Sequence, residues 1–279
     1  MTFNSRHENR DRDLPEVREQ LLKSASNDLK KDPNVMGIYL AGSLAKANDD
    51  LYSDIDLHIV VTSESLSRFV DRKRERPKRW GKVLFYEDVN PVRPVVVVHF
   101  EPFVKVDTWY HIAEEIKPSL WLSGCKAIYD PNSIIQSVLD RSEKLEYQVT
   151  PSEVELWRGK VLAYIHEVYR SVMRGELYYA VSTLDSFRWQ IARGWHMEMG
   201  KRVDSGWGVW SKIEGTRSSL MEWQNSLLKS WYCQLDENEI MKTLASMIPE
   251  FCRLHSSLCQ IAGLEEQKEW CDRAIGKVL

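Results

Sequence analysis

Between Ser53 and Val61, apolar Ile55, Leu57 and Ile59 alternate with Asp54, Asp56 and His58. A period of two predicts a half-buried strand. On a strand, side chains two apart share a face, so Asp54 and Asp56 project side by side while Ile55 and Leu57 enter the core. Two carboxylates a few ångströms apart repel and raise each other's pKa. A fold keeps that arrangement most readily when a cation sits between them. Hard oxygen ligands favour Mg2+ or Mn2+, ions that typically bridge protein carboxylates to substrate phosphates.

The chain around this strand changes character once. Leu14, Val17, Leu21, Leu22, Ala25 and Leu29 predict an amphipathic helix over 13–31, ended by Pro33 and Asn34. Val35 to Ala41 reads as a strand, 44–52 as a polar connection and 63–80 as a charged helix. Lys82 to Tyr86, Val95 to Phe100 and Val104 to Trp109 read as three strands, and Lys126 to Tyr129 as another, with a helix over about 131–145. From Pro151 onward the periodicity is helical: 151–174, then 176–199 with Gly200 placed as a C-cap, a loop over 200–218, and two or three final helices. The expected fold is α+β. A mixed β-sheet flanked by helices occupies residues 1–146, and an all-helical domain occupies 147–279.

Composition narrows the function classes. Hydrophobic residues make up 43% of the 279 and the formal net charge is −3, so a packed core is expected and a nucleic acid partner is not. The polar start has no apolar signal region and the apolar runs are short, which predicts a cytoplasmic protein without membrane association. The five scattered cysteines support neither a disulfide framework nor a zinc site. Arg68 to Lys82 holds eight basic and two acidic side chains, read as the solvated face of a helix or, alternatively, a rim that attracts an anion. Eight of the 11 tryptophans follow residue 145. Helix packing accounts for such an excess, with an acceptor cleft as the other reading. His58, His99 and His111 read as hydrogen-bonded, partly buried histidines rather than ligands.

Gly42-Ser43 ends the first strand, with ten residues between Ser43 and Asp54. A Gly-Ser turn opening a helical turn presents backbone N–H groups and a hydroxyl to an anion, and Ser43 also suits a helix N-cap. Phosphate on the turn and metal on the carboxylates describe a nucleoside triphosphate site. Asp107 lies in the alternating Val104 to Trp109 strand, and Glu101 in the turn beside Pro102. Lys46, in the loop after Ser43, reads as a solvated lysine or a screen for phosphates.

Gly-Ser, a gap of ten, then Asp-x-Asp resembles the nucleotidyltransferase superfamily of the DNA polymerase beta type. The leading helix, the sheet domain and the helical second half resemble in layout the antibiotic adenylyltransferases that act on streptomycin and other aminoglycosides. Ala127-Ile128-Tyr129-Asp130-Pro131 resembles a strand-to-helix element of that group, and Tyr164 to Ala180 resembles its first helical pair. The resemblance implies metal-dependent transfer of AMP from ATP to a hydroxyl of a small, aminoglycoside-like acceptor. It implies Asp54, Asp56 and a third carboxylate on a neighbouring strand as catalytic metal ligands, the third being Asp107, with Glu101 beside Pro102 the weaker alternative, and Gly42 and Ser43 as nucleotide contacts. Lys46 and Lys160 are added as nucleotide contacts by position. The general base is left open among Asp107, Glu167, Glu176 and Asp185, and a homodimer is left open. Two rival readings keep the fold: transfer to a protein or tRNA hydroxyl, and a non-catalytic nucleotide-binding protein.

Overall fold

The computed structural model describes residues 6–87 and 90–279. The chain divides into two compact units, Met1–Glu146 and Tyr147–Leu279.

The first unit opens with α1, Glu8–Leu29. It starts earlier than the apolar stripe indicates, because residues 8–13 are polar throughout and carry no apolar periodicity. Next come β1 (Val35–Leu40), the short α2 (Gly42–Ala45) and β2 (Ile55–Val61). The expected helix over 63–80 is broken: α3 spans only Leu66–Asp71, and a 3-10 turn covers Arg76–Arg79. Pro77 lies in that turn, and Lys73 is buried with its ammonium donating to the carbonyls of Asn90 and Arg93. Folding an ammonium inward onto loop carbonyls satisfies it better than an exposed helix position would. Arg76 and Arg79 pair with Asp28, and Arg68 and Arg76 with Asp32, at the end of α1. The basic run is therefore a clamp on α1 rather than a uniformly solvated face.

Strands β3 (Val83–Tyr86), β4 (Val95–Phe100), β5 (Val104–Ile112) and β6 (Lys126–Tyr129) complete a six-stranded sheet of order β3-β4-β5-β2-β1-β6, and α4 (Ile134–Ser142) follows. Neighbours run antiparallel except β2 and β5, which are parallel. The sheet is thus mixed, as in the expected fold. Leu14, Leu21, Ala25 and Leu29 of α1 pack on Ile38, Ile55, Leu57 and Ile59. On the other side, Tyr39 and Val60 meet Ile135 and Leu139 of α4.

The second unit is helical: α5 (Pro151–Met173), α6 (Leu177–Glu198), α7 (Glu222–Ser230), α8 (Glu237–Ala262) and α9 (Lys268–Ile275). Thr150 caps α5 through its hydroxyl and Asp236 caps α8, each accepting backbone N–H bonds that the first turn leaves free. Trp157, Trp189, Trp195 and Trp231 are buried, whereas Trp207, Trp223 and Trp270 are each more than 40% exposed. Large aromatic faces fill the gaps between helices, so the tryptophan excess is mostly core. Among the described residues no helix is long and apolar enough to cross a membrane.

Candidate active site

The first unit gathers the acidic residues by register. Asp56 on β2 lies opposite Asp107 on β5 in the parallel pair, and Asp54 immediately precedes β2. One oxygen from each of Asp54, Asp56 and Asp107 lies within 4.8 Å of the others. Hydrophobic neighbours hold the frame: Ile55, Leu57, Val104 and Val106 point into the core between α1 and the sheet. The approach to Asp54 is pinned from α1. Buried Arg18 donates to the carbonyls of Asp50 and Ser53 at 2.9 and 3.0 Å and pairs with Asp49 at 2.6 Å. A guanidinium with several acceptors orders a polar loop that has no core of its own.

Gly42 adopts φ +65°, and a Cβ there would come within 1.8 Å of an Asp56 carboxylate oxygen. Only glycine permits this approach in this backbone conformation. The Asp56 carbonyl also accepts from the Ala41 N–H at 3.0 Å, so the turn and the acidic strand are stitched together. Ser43 is buried at the second position of α2. It is not the N-cap, which is Ala41. Lys46 is exposed, its aliphatic stem running against Gly124.

Sequence reasoning missed Lys105. It lies two residues before Asp107 on β5, and that spacing alone places it on the carboxylate face. Its ammonium reaches Asp54 at 2.7 Å and Asp107 at 3.2 Å. Burial works against that ammonium, yet the two carboxylates outweigh it and push its pKa up. Burial also pushes the Asp107 carboxyl above its usual range, with the nearby Asp54 adding to the rise and Lys105 opposing it. One Asp107 oxygen, Oδ1, is buried without a hydrogen-bond partner. A buried acceptor left unpaired is costly unless something binds it. Three clustered carboxylates with such an oxygen fit a hard divalent cation.

The same sheet face continues into rings. Tyr39, His58 and His111 stack on one another, and His58 stacks on Trp109. His58 Nδ1 meets His111 Nε2 at 2.9 Å, and burial, with His111 beside it, pushes His58 down to about 3. His99 pairs with Glu87. These histidines are engaged with neighbours. Glu101 pairs with Lys82 in the turn and is absent from the acidic cluster.

The remaining candidates stand in the second unit. Lys160 is exposed on α5. Glu167 pairs with Arg170 and Arg174. Glu176 is an exposed residue at the start of α6, 3.9 Å from Arg174. Asp185 accepts from Trp210 Nε1 at 2.9 Å and pairs with Arg188.

A family model described as streptomycin adenylyltransferase matches residues 15–273. The chain belongs to the streptomycin adenylyltransferase family. It is accordingly a nucleotidyltransferase, of a family whose substrates are a nucleotide and a small-molecule antibiotic. Among solved structures it is similar to an aminoglycoside 6-adenyltransferase from Bacillus subtilis, at 14% identity and a TM-score of 0.43, over 93% of this chain and 97% of that one. It is also similar to a nucleotidyltransferase-like protein from Exiguobacterium sibiricum, at 12% identity and a TM-score of 0.42, over 88% of this chain and 78% of that one. No curated protein matches its sequence. The family match spans both units, so the helical half of this adenylyltransferase belongs to the shared architecture.

Proposed function

We propose that this adenylyltransferase transfers AMP from ATP to a hydroxyl of an aminoglycoside-like antibiotic, with Mg2+ or Mn2+ held by Asp54, Asp56 and Asp107. The observation that carries the reading is the convergence of three carboxylates, one with a buried unpaired oxygen. The cation, when bound, offsets phosphate charge and polarises the reacting oxygens. Gly42 and Ser43 hold the triphosphate against backbone N–H groups, and Lys46 is the lysine of the same unit that we assign to its charge. The acceptor oxygen bonds to the α-phosphorus, the bond to the β-phosphate oxygen breaks, and pyrophosphate leaves with that electron pair. The hydroxyl proton passes to a carboxylate. Asp107, whose Oδ1 has no partner, suits this role better than Glu167, Glu176 or Asp185, which pair with Arg170, Arg174, Trp210 or Arg188. We assign residues 1–146 to nucleotide and metal, and 147–279 to the acceptor side.

Isothermal titration of the full chain with ATP and Mg2+ tests the site. Asp54→Asn/Asp56→Asn is expected to abolish metal-dependent nucleotide binding, and unchanged binding would sink the assignment. Pyrophosphate release across a panel of aminoglycosides then identifies the acceptor.

A further inference from the structure

The acidic cluster already contains a cation. Lys105 Nζ lies 2.7 Å from Asp54 and 3.2 Å from Asp107, both distances of direct contact between charges. The Asp107 oxygen it contacts is Oδ2, while Oδ1 is the buried atom without a partner. An ammonium donates three hydrogens tetrahedrally and cannot serve the far lone pairs of three converging carboxylates. A divalent ion takes one oxygen from each. The two cations would sit among the same carboxylates, those of Asp54 and Asp107, and like charges at such separations repel strongly in a half-buried site.

We propose that Lys105 is a resident counter-ion that must leave the carboxylates before a divalent cation can enter, and that triphosphate binding promotes its departure. This rests on the metal-site reading given above. Lys105 holds Asp54 and Asp107 together while no nucleotide is present. Its long stem keeps the ammonium attached to β5, so on release it needs another anion nearby. Phosphate oxygens supply one. Metal alone has to displace the lysine without compensation, whereas metal arriving with a triphosphate gives the ammonium a new partner. By linkage, metal and nucleotide then strengthen each other's binding. Lys105 is a positioning residue in this scheme: it acts through the carboxylates and sets the order of loading.

The probe is Mn2+ alone, titrated into the full chain and followed by calorimetry and by the paramagnetic resonance of free Mn2+. Lys105→Met removes the charge and keeps the stem; Lys105→Gln is a second neutral variant should the first fold poorly. Both are expected to bind Mn2+ about tenfold tighter than wild type without nucleotide. Lys105→Arg keeps a cation and is expected to bind no tighter than wild type. The factor by which a non-hydrolysable ATP analogue tightens Mn2+ binding falls in both neutral variants. A purely structural lysine would lower thermal stability without raising metal affinity. Unchanged or weaker Mn2+ binding in both folded neutral variants overturns the proposal. Asp54→Asn/Asp56→Asn separates the two readings. If it abolishes Mn2+ binding while the Lys105 variants match wild type, the metal site stands and the lysine's role fails. If it leaves Mn2+ binding intact, the site itself fails.

Discussion

Several carboxylates in the helical unit are matched by guanidinium, indole or hydroxyl donors. Glu153 takes Arg193 and the Tyr147 hydroxyl, Glu198 takes Arg253, Glu250 takes Arg253 and Trp195, and Asp185 takes Trp210. At the end of β2 and β5 the arrangement is reversed. Asp54 and Asp107 share Lys105, Asp56 crowds against Gly42, and a buried Asp107 oxygen has no partner. Paired carboxylates fasten helices together; clustered ones cost stability and persist where a ligand compensates them. The largest expected effect follows from that contrast. Asp107→Asn should reduce pyrophosphate release by at least about 10³-fold, near 4 kcal/mol of barrier, while the melting temperature holds or rises. A melting temperature that collapses with the activity would make the cluster structural, like its counterparts in the helical unit.

The helical unit should answer substitution in stability. Trp157 is fully buried, donates its Nε1–H to the Gln190 carbonyl at 2.8 Å and packs on Phe251. Trp157→Ala leaves a large cavity and an unpaired carbonyl, expected to lower stability by roughly 3–5 kcal/mol in calorimetric unfolding. Gly42→Ala sits between the two regimes. Forcing an alanine into φ +65° costs roughly 1–2 kcal/mol, and its methyl group must push the Asp56 carboxylate aside. Modest destabilisation with a disproportionate loss of Mn2+ affinity is expected, read by unfolding and titration of one sample.

The same contrast explains what the sequence discloses. Ile55, Leu57 and Ile59 alternate strictly because one face of β2 is buried, so the strand and its acidic face are legible without coordinates. Which strand lies beside β2 is not local information. The parallel β2–β5 pairing that sets Asp107 opposite Asp56 spans about fifty residues, and the third carboxylate was reached through alternation and resemblance rather than pairing. Lys105 was visible at the right spacing but passed over, because a lysine on an alternating strand usually reads as solvated. Residues 63–80 misled in the other direction. A run of cations looks like an exposed helix until Lys73 is seen turned inward onto two carbonyls, and Asp28 and Asp32 are seen holding the arginines. Partners distant in sequence decide such cases, and periodicity carries no trace of them.

The smallest effect concerns histidine in the helical unit. His255 is buried on α8 against Arg158, Phe251 and Cys271, with Glu266 also felt electrostatically, and burial followed by the Arg158 charge lowers its pKa. A lowered pKa means the unfolded chain takes up a proton that the folded chain refuses. The contribution is fully present above the unfolded value of about 6.5 and is lost as pH falls below it. One such histidine changes stability by at most about 1.4 kcal/mol per pH unit. Between pH 7.5 and 5.5, His255→Gln should therefore show a smaller drop in melting temperature than wild type, whatever its stability at neutral pH. Parallel curves for the two proteins would mean that His255 accepts its proton while folded. Its packing against Arg158 would then tolerate a second positive charge, as the crowded acids of the sheet unit tolerate one another beside Lys105.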